Sequence, residues 1–96
     1  MRIKWLRTAL SNLEQEAAYI AKDNPEAARL VVQRIEHSVA LLANNPALGR
    51  AGRVPATREL LVPNTRYLIP YRVRPRLHQI EILRVFHLAR RIPGQW

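Results

Sequence analysis

The sequence predicts an α+β domain: an N-terminal strand, an α-helical hairpin, then a three-stranded antiparallel sheet with the helices packed on one face. Three observations predict it. Apolar residues recur at steps of three and four as far as Asn44-Asn45-Pro46, and alternate after it. The change of period coincides with Pro46 to Pro55, which holds two prolines and two glycines in ten residues and reads as a loop. The 96 residues, 48% hydrophobic and 24% charged, are too apolar for a disordered chain and enough for one core but not two, so residues 1–96 form a single domain.

Each element follows from its residues. Ile3 and Trp5 alternate with Arg2 and Lys4, as in a short strand with one buried face. Thr8 or Ser11 is placed to cap a first helix, and Ser11-x-x-Glu14 has capping-box spacing. Leu10, Leu13, Ala17, Ile20 and Ala21 share one face of it. Asp23-Asn24-Pro25 ends it and starts the second helix, with Asn24 as N-cap and Pro25 in the first turn. Ala28, Val32, Ile35, Val39 and Leu42 form the second apolar stripe, so residues 8–44 read as a hairpin. Residues 57–62 form a strand and Pro63-Asn64-Thr65-Arg66 a turn. Tyr67, Ile69, Tyr71 and Val73 mark the next strand, where Pro70 lacks a ladder donor and belongs at an edge or a bulge. Residues 79–86 form the last strand, with Ile80, Ile82 and Phe86 on one face and Leu83 and Val85 on the other. The sheet face away from the helices is left rimmed by arginines.

Charge narrows the function. The 16 Lys and Arg against 7 Asp and Glu give +9, carried by 14 Arg and 2 Lys. Residues 1–48 carry +1 and residues 49–96 carry +8, so the loop-and-sheet half is the cation. Such a surface suits an anionic partner, and arginine suits bidentate phosphate or carboxylate contacts. No run approaches the ~18 apolar residues of a membrane span, and the basic start lacks a signal peptide's apolar core. With no cysteine there is neither disulfide nor thiolate site, and a cytoplasmic location is expected.

Motifs for most chemistries are missing. His37, His78 and His87 are dispersed, and no HExxH, P-loop, GxGxxG or serine-triad pattern occurs, so neither metal nor cofactor is expected. What remains is metal-free chemistry on a phosphodiester, with Glu59, Glu81 or His87 as proton acceptor and Arg50, Arg53, Arg58, Arg84, Arg90 and Arg91 as cations. Each has a structural alternative: Glu59 and Glu81 pair with arginines, Tyr67 and Tyr71 pack in the core, and Arg72, Arg74 and Arg76 guard a solvated edge.

Segments spread over nearly the whole chain carry a resemblance. They are Tyr19-Ile20, Asn24-Pro25-Glu26-Ala27-Ala28, Asn45-Pro46-Ala47-Leu48-Gly49-Arg50, Gly52-Arg53-Val54-Pro55-Ala56-Thr57-Arg58-Glu59-Leu60, Tyr67-Leu68-Ile69-Pro70-Tyr71-Arg72-Val73 and Ile82 through Arg91. In this order and spacing the chain resembles the RelE/ParE superfamily of bacterial toxins from type II toxin–antitoxin modules, and is closer to the ParE-like branch. The resemblance implies a growth-inhibiting, plasmid-stabilising toxin that acts on DNA gyrase. It also implies a cognate antitoxin whose acidic or amphipathic segment folds on the toxin in a hetero-oligomer. The RelE-like branch implies the alternative, a ribosome-dependent mRNA endonuclease, for which His87, Arg58, Arg84 and Arg90 would be catalytic. His87 falls where a His-Tyr pair begins in many of those nucleases, but Leu88 replaces the tyrosine. The target-binding candidates are Arg50, Arg53, Arg58, Arg84, His87, Arg90 and Arg91.

Overall fold

A computed structural model describes residues 1–90, 92–94 and 96. Strand β1 (Arg2–Trp5) leads into α1 (Arg7–Ala21), and a tight turn leads to α2 (Pro25–Leu41). There follow β2 (Arg50–Ala51), β3 (Arg58–Leu61), β4 (Tyr67–Arg74), a 3-10 turn (Pro75–Leu77), β5 (Gln79–Ile82) and β6 (Phe86–His87). All the strands join one sheet in the order β1-β5-β4-β3-β2, with β6 also paired to β4. The α+β class and the helical hairpin are as expected, but the sheet is larger and mixed. The opening strand lies parallel to β5, and the loop contributes the two-residue β2. A parallel pair needs a long crossover, which the hairpin and the strands after it provide.

The core lies between the helices and one sheet face. Ala9 and Leu13 of α1 and Ile35 and Val39 of α2, with Leu42, meet Leu60, Val62, Tyr67, Ile69, Tyr71, Ile80, Ile82 and Val85. The second helix begins as its sequence predicts: the Asn24 side chain accepts the Ala27 N–H at 3.1 Å, and Pro25 opens the first turn. The first helix does not. It starts at Arg7 with Leu6 as N-cap and no side-chain cap, leaving Thr8, Ser11 and Glu14 exposed along the helix. The Leu6 N–H extends the β1–β5 pairing by donating to Ile82 O at 3.0 Å, while Leu6 O accepts the Leu10 N–H. Sheet pairing thus sets the start and the phase of the helix, turning Ala9 and Leu13 inward and leaving Leu10 exposed.

The last strand differs from expectation in a way that positions the site. Tyr71 faces Ile82 and Leu68 faces Phe86, so three residues, Leu83 to Val85, oppose only Ile69 and Pro70. This β-bulge has a cause in Pro70. Pro70 lies in a central strand, not at an edge, and has no N–H to give. The Leu83 N–H reaches Pro70 O at 3.0 Å, while the Leu83 carbonyl, left without a ladder donor, accepts Arg84 Nη1 at 2.7 Å. The Val85 N–H is taken by Asn12 Oδ1 of α1 at 3.1 Å. One extra residue inverts the side-chain alternation. Phe86 therefore joins Leu68 on the outer face, whereas Val85 enters the core and His87 sits beside Tyr67.

The outer face is accordingly only partly open. Leu68, Pro70 and Leu83 are buried at its centre, and Trp96 packs edge-on against Phe86 with 5.8 Å between ring centroids. The open, arginine-bearing part lies over β1, β5 and the C-terminal half of β4.

Candidate functional site

The bulge brings His87 and Arg90 together. His87 meets the Tyr67 ring edge-on at 5.0 Å, and its Nδ1 accepts the Ala89 N–H at 3.1 Å, which folds the chain back after β6. Arg90 pairs with Glu16 of α1 and lies over the Tyr19 ring at 5.2 Å. Glu16 also accepts the Tyr67 hydroxyl at 3.0 Å. A cavity of about 400 Å³ opens between His87, Arg90, Tyr67, Tyr19 and the turn at Asn64–Arg66.

The hydrogen bond and charge of Glu16 hold Arg90 protonated, raising it further above its ordinary value. Burial first, then the Glu16 hydrogen bond and charge, push the Tyr67 hydroxyl from its ordinary 10.0 up to about 12, with Arg90 opposing. A group whose folded value is raised contributes stability that is complete below its unfolded value and is lost as pH rises through the folded one. Tyr67 therefore stabilises the fold fully below about pH 10 and loses that contribution towards pH 12. Glu16→Gln removes the charge that opposes ionisation. The tyrosinate absorbance of Tyr67, read against a Tyr67→Phe blank, should then appear at lower pH than in the parent protein.

The other candidates lie elsewhere. On the outer face, buried Glu59 takes Arg50 Nη2 at 3.5 Å on one oxygen, and the Arg53 N–H at 3.0 Å and Nε at 3.9 Å on the other. Both its oxygens are occupied, so the structure gives Glu59 the role of collar and not that of a free base. Arg58 faces Tyr71 on the helix side, and its Nη1 donates to Gly49 O at 2.8 Å, fixing the loop before β2. Arg84 stacks over Trp96 at 5.5 Å while capping Leu83 O. Arg91 lies outside the described residues.

Glu81 meets Arg72 Nε at 3.0 Å and Nη2 at 2.6 Å, with Arg74 Nη1 at 3.5 Å. The Arg72 hydrogen bond, opposed by burial and helped by the charges of Arg72 and Arg74, holds its carboxyl below the usual range. Like Glu59, it is enclosed by two arginines.

Of the four residues drawn as a nuclease site, only His87 and Arg90 come together. Arg58 pairs with Tyr71 on one side of β4 and His87 with Tyr67 on the other. Four residues along a strand and two strand spacings across place their Cα atoms about 16 Å apart. Arg84 turns towards Trp96 on the outer face. Among the described residues no three His, Cys, Asp or Glu side chains are placed to hold a metal.

Sequence reading missed Glu16, Tyr19 and Asn12 as partners of the C-terminal strand. One signal was present: Glu16 follows Leu13 by three and precedes Ile20 by four, so a carboxylate stands on the apolar stripe.

Comparisons with known proteins agree with this architecture. Residues 3–92 match the family model described as the ParE toxin of the type II toxin-antitoxin system, parDE. The chain is 46% identical over 92 residues to "Putative toxin Y4kP" of Sinorhizobium fredii (strain NBRC 101917 / NGR234), covering 96% of this chain and 93% of that protein. It superposes with a TM-score of 0.79 on a chain of the "Chromosomal ParDE TA system from P. aeruginosa", at 32% identity over 92% of this chain and 96% of that one. The chain belongs to the ParE toxin family of type II toxin–antitoxin systems.

Proposed function

We propose that this ParE-family toxin arrests growth by inhibiting DNA gyrase, and that a cognate antitoxin neutralises it in a toxin–antitoxin hetero-oligomer. The observation that carries the reading is the use the fold makes of its candidate proton acceptors. Glu59 and Glu81 are each clamped between two arginines. His87 stands with Arg90 but far from Arg58, and an arrangement of separate cationic clusters suits capture of an acidic or phosphate-bearing partner better than proton transfer. Arg50, Arg53, Arg84, His87 and Arg90 are the target contacts we favour within the described residues. Arg58 serves the loop that presents Arg50, and Arg91 adjoins the same basic segment in sequence.

The antitoxin reading has support in a second feature. A groove of about 340 Å³ runs between α2 and β2–β3, lined by Leu41, Leu48, Leu61 and Pro63 with Arg50 among its lining residues. Three of these leucines are about half exposed. An apolar strip with a cationic neighbour suits an amphipathic acidic segment that orders on binding. No described helix is long and apolar enough to cross a membrane, and we place the protein in the cytoplasm.

The test is a supercoiling reaction with purified gyrase and plasmid. Addition of the chain should leave DNA unsupercoiled or trapped in cleaved form, in proportion to toxin. Unchanged supercoiling at excess toxin would remove the gyrase reading.

A further inference from the structure

We propose that the outer face of β1, β5 and β4 is a binding surface for the phosphate backbone of duplex DNA, built from Arg2, Lys4, Arg72 and Arg74 around Glu81. Strand register makes this a grid. Lys4 faces Glu81, which faces Arg72; Arg2 faces Gln79, which faces Arg74. Partners directly opposite in a sheet share a face, so the side chains form two parallel rows. Residues two apart on a strand are about 7 Å apart, and β1 and β4 are about 10 Å apart across β5. Four cations thus stand at the corners of a small rectangle, with one carboxylate and one amide between them.

Edge protection alone does not account for this arrangement. It fits Arg2 and Lys4, because β1 ends the sheet. It fits Arg72 and Arg74 in part, because β3 pairs with β4 only as far as Tyr71, but it does not call for a buried carboxylate that orders both guanidiniums. Nor is the charge lost in ion pairing. Glu81 is buried, whereas the Arg72 and Arg74 side chains keep 41% and 44% of their surface. Glu81 binds Arg72 through Nε and Nη2, leaving Nη1 free of it, and binds Arg74 through Nη1, leaving Nε and Nη2 free of it. The Gln79 amide holds the second Glu81 oxygen at 3.4 Å. The carboxylate therefore splays and orders the guanidiniums, and four cations surround a single negative charge.

The occupant follows from what the rows contain. Ile3, Trp5, Ile80, Ile82 and Val73 all face the helix side and belong to or pack on the core, so the rows carry no aromatic ring and no large apolar side chain. That removes base stacking, the main handle on single-stranded nucleic acid, and removes the anchors an amphipathic acidic peptide would need. A rectangle of side chains narrower than the ~12 Å major groove contacts phosphates along one strand and reads no sequence. The phosphate chemistry stands on these residues alone; the choice of DNA over RNA rests on the gyrase reading.

Fluorescence anisotropy of a labelled 20-base-pair DNA duplex, with gyrase absent, tests the surface. Four neutralised phosphates give a slope of log K against log salt of about −3.6. Arg2→Gln with Lys4→Gln should reduce the steepness by about 2 and weaken binding roughly ten- to a hundredfold near 0.1 M salt. Arg74→Gln alone, which keeps the Arg72–Glu81 pair, should reduce it by about 1. Arg29→Gln with Arg34→Gln removes the same charge from α2 and should leave the slope as in the parent protein. Equal losses from the strand and helix variants, or no salt-dependent DNA binding, would overturn the proposal. Preference for an RNA duplex or a glutamate-rich peptide over DNA would overturn it too. Because gyrase is absent, failure here leaves the supercoiling result to stand or fall separately.

Discussion

Tyr71→Ala should destabilise the fold by about 3–5 kcal/mol, a large share of a small domain's total. Tyr71 is fully buried and is the largest of the fully buried side chains. Its hydroxyl also joins two distant parts of the chain, donating to Pro46 O at 2.7 Å and accepting the Gly49 N–H at 2.8 Å. Burial raises its ionisation above the ordinary tyrosine value, so the hydroxyl stays protonated and able to donate. Tyr71→Phe separates the two contributions. It keeps the ring but leaves the Gly49 N–H without its partner, for a loss of about 1–3 kcal/mol. Urea midpoints for the two variants check this. Equal losses would show that the hydroxyl accounts for the whole effect and the ring for none of it.

Gly49→Ala should cost about 1–3 kcal/mol by overpacking, although it adds a single methyl group. A Cβ at Gly49 would lie 2.7 Å from Glu59 O and 2.7 Å from the Tyr71 ring. Neither neighbour yields easily: one is strand backbone and the other is the ring wedged in the core. The strain falls on a functional joint. Gly49 O holds Arg58, the next residue is Arg50, and Glu59 carries the collar that Arg50 and Arg53 share. Thermal unfolding measures the stability loss. If the collar belongs to the target surface, inhibition of gyrase should weaken in the fraction that remains folded. Full stability in Gly49→Ala would mean that the loop can move away from β3 at no cost.

Much of the fold was legible because local signals and tertiary demands agreed. Asn24 supplies an N-cap oxygen and Pro25 a preset first-turn φ just ahead of an apolar stripe, and Ile35 and Val39 lie one turn apart on the side that needs burying. Reading failed where long-range pairing overruled local preference. Ser11 and Glu14 have capping-box spacing, yet pairing of Leu6 with Ile82 starts the helix five residues earlier. The missing N–H of Pro70 calls for an edge or a bulge, and the bulge is what forms. What the sequence does not show is its consequence: the extra residue exchanges the faces of Val85 and Phe86. No alternation rule contains that exchange, because it depends on what lies across the strand.

The site was legible as a list and not as an arrangement. The arginines could be counted, but their grouping depends on strand register: Arg50 and Arg53 around Glu59, Arg90 on Glu16, and Arg72 and Arg74 on Glu81. Arg72 and Arg74, read from the sequence as edge charges, do lie past the end of β3 beside the turn, and register adds that they share Glu81 across β5.

The most direct measurement gives one preparation of the toxin to two reactions at matched concentration, gyrase with supercoiled plasmid and ribosomes programmed with message. The proposed function predicts cleaved or unsupercoiled plasmid and intact message. Cut message with the plasmid reaction undisturbed would contradict it, and would make His87 and Arg90 the first residues to test as a nuclease pair.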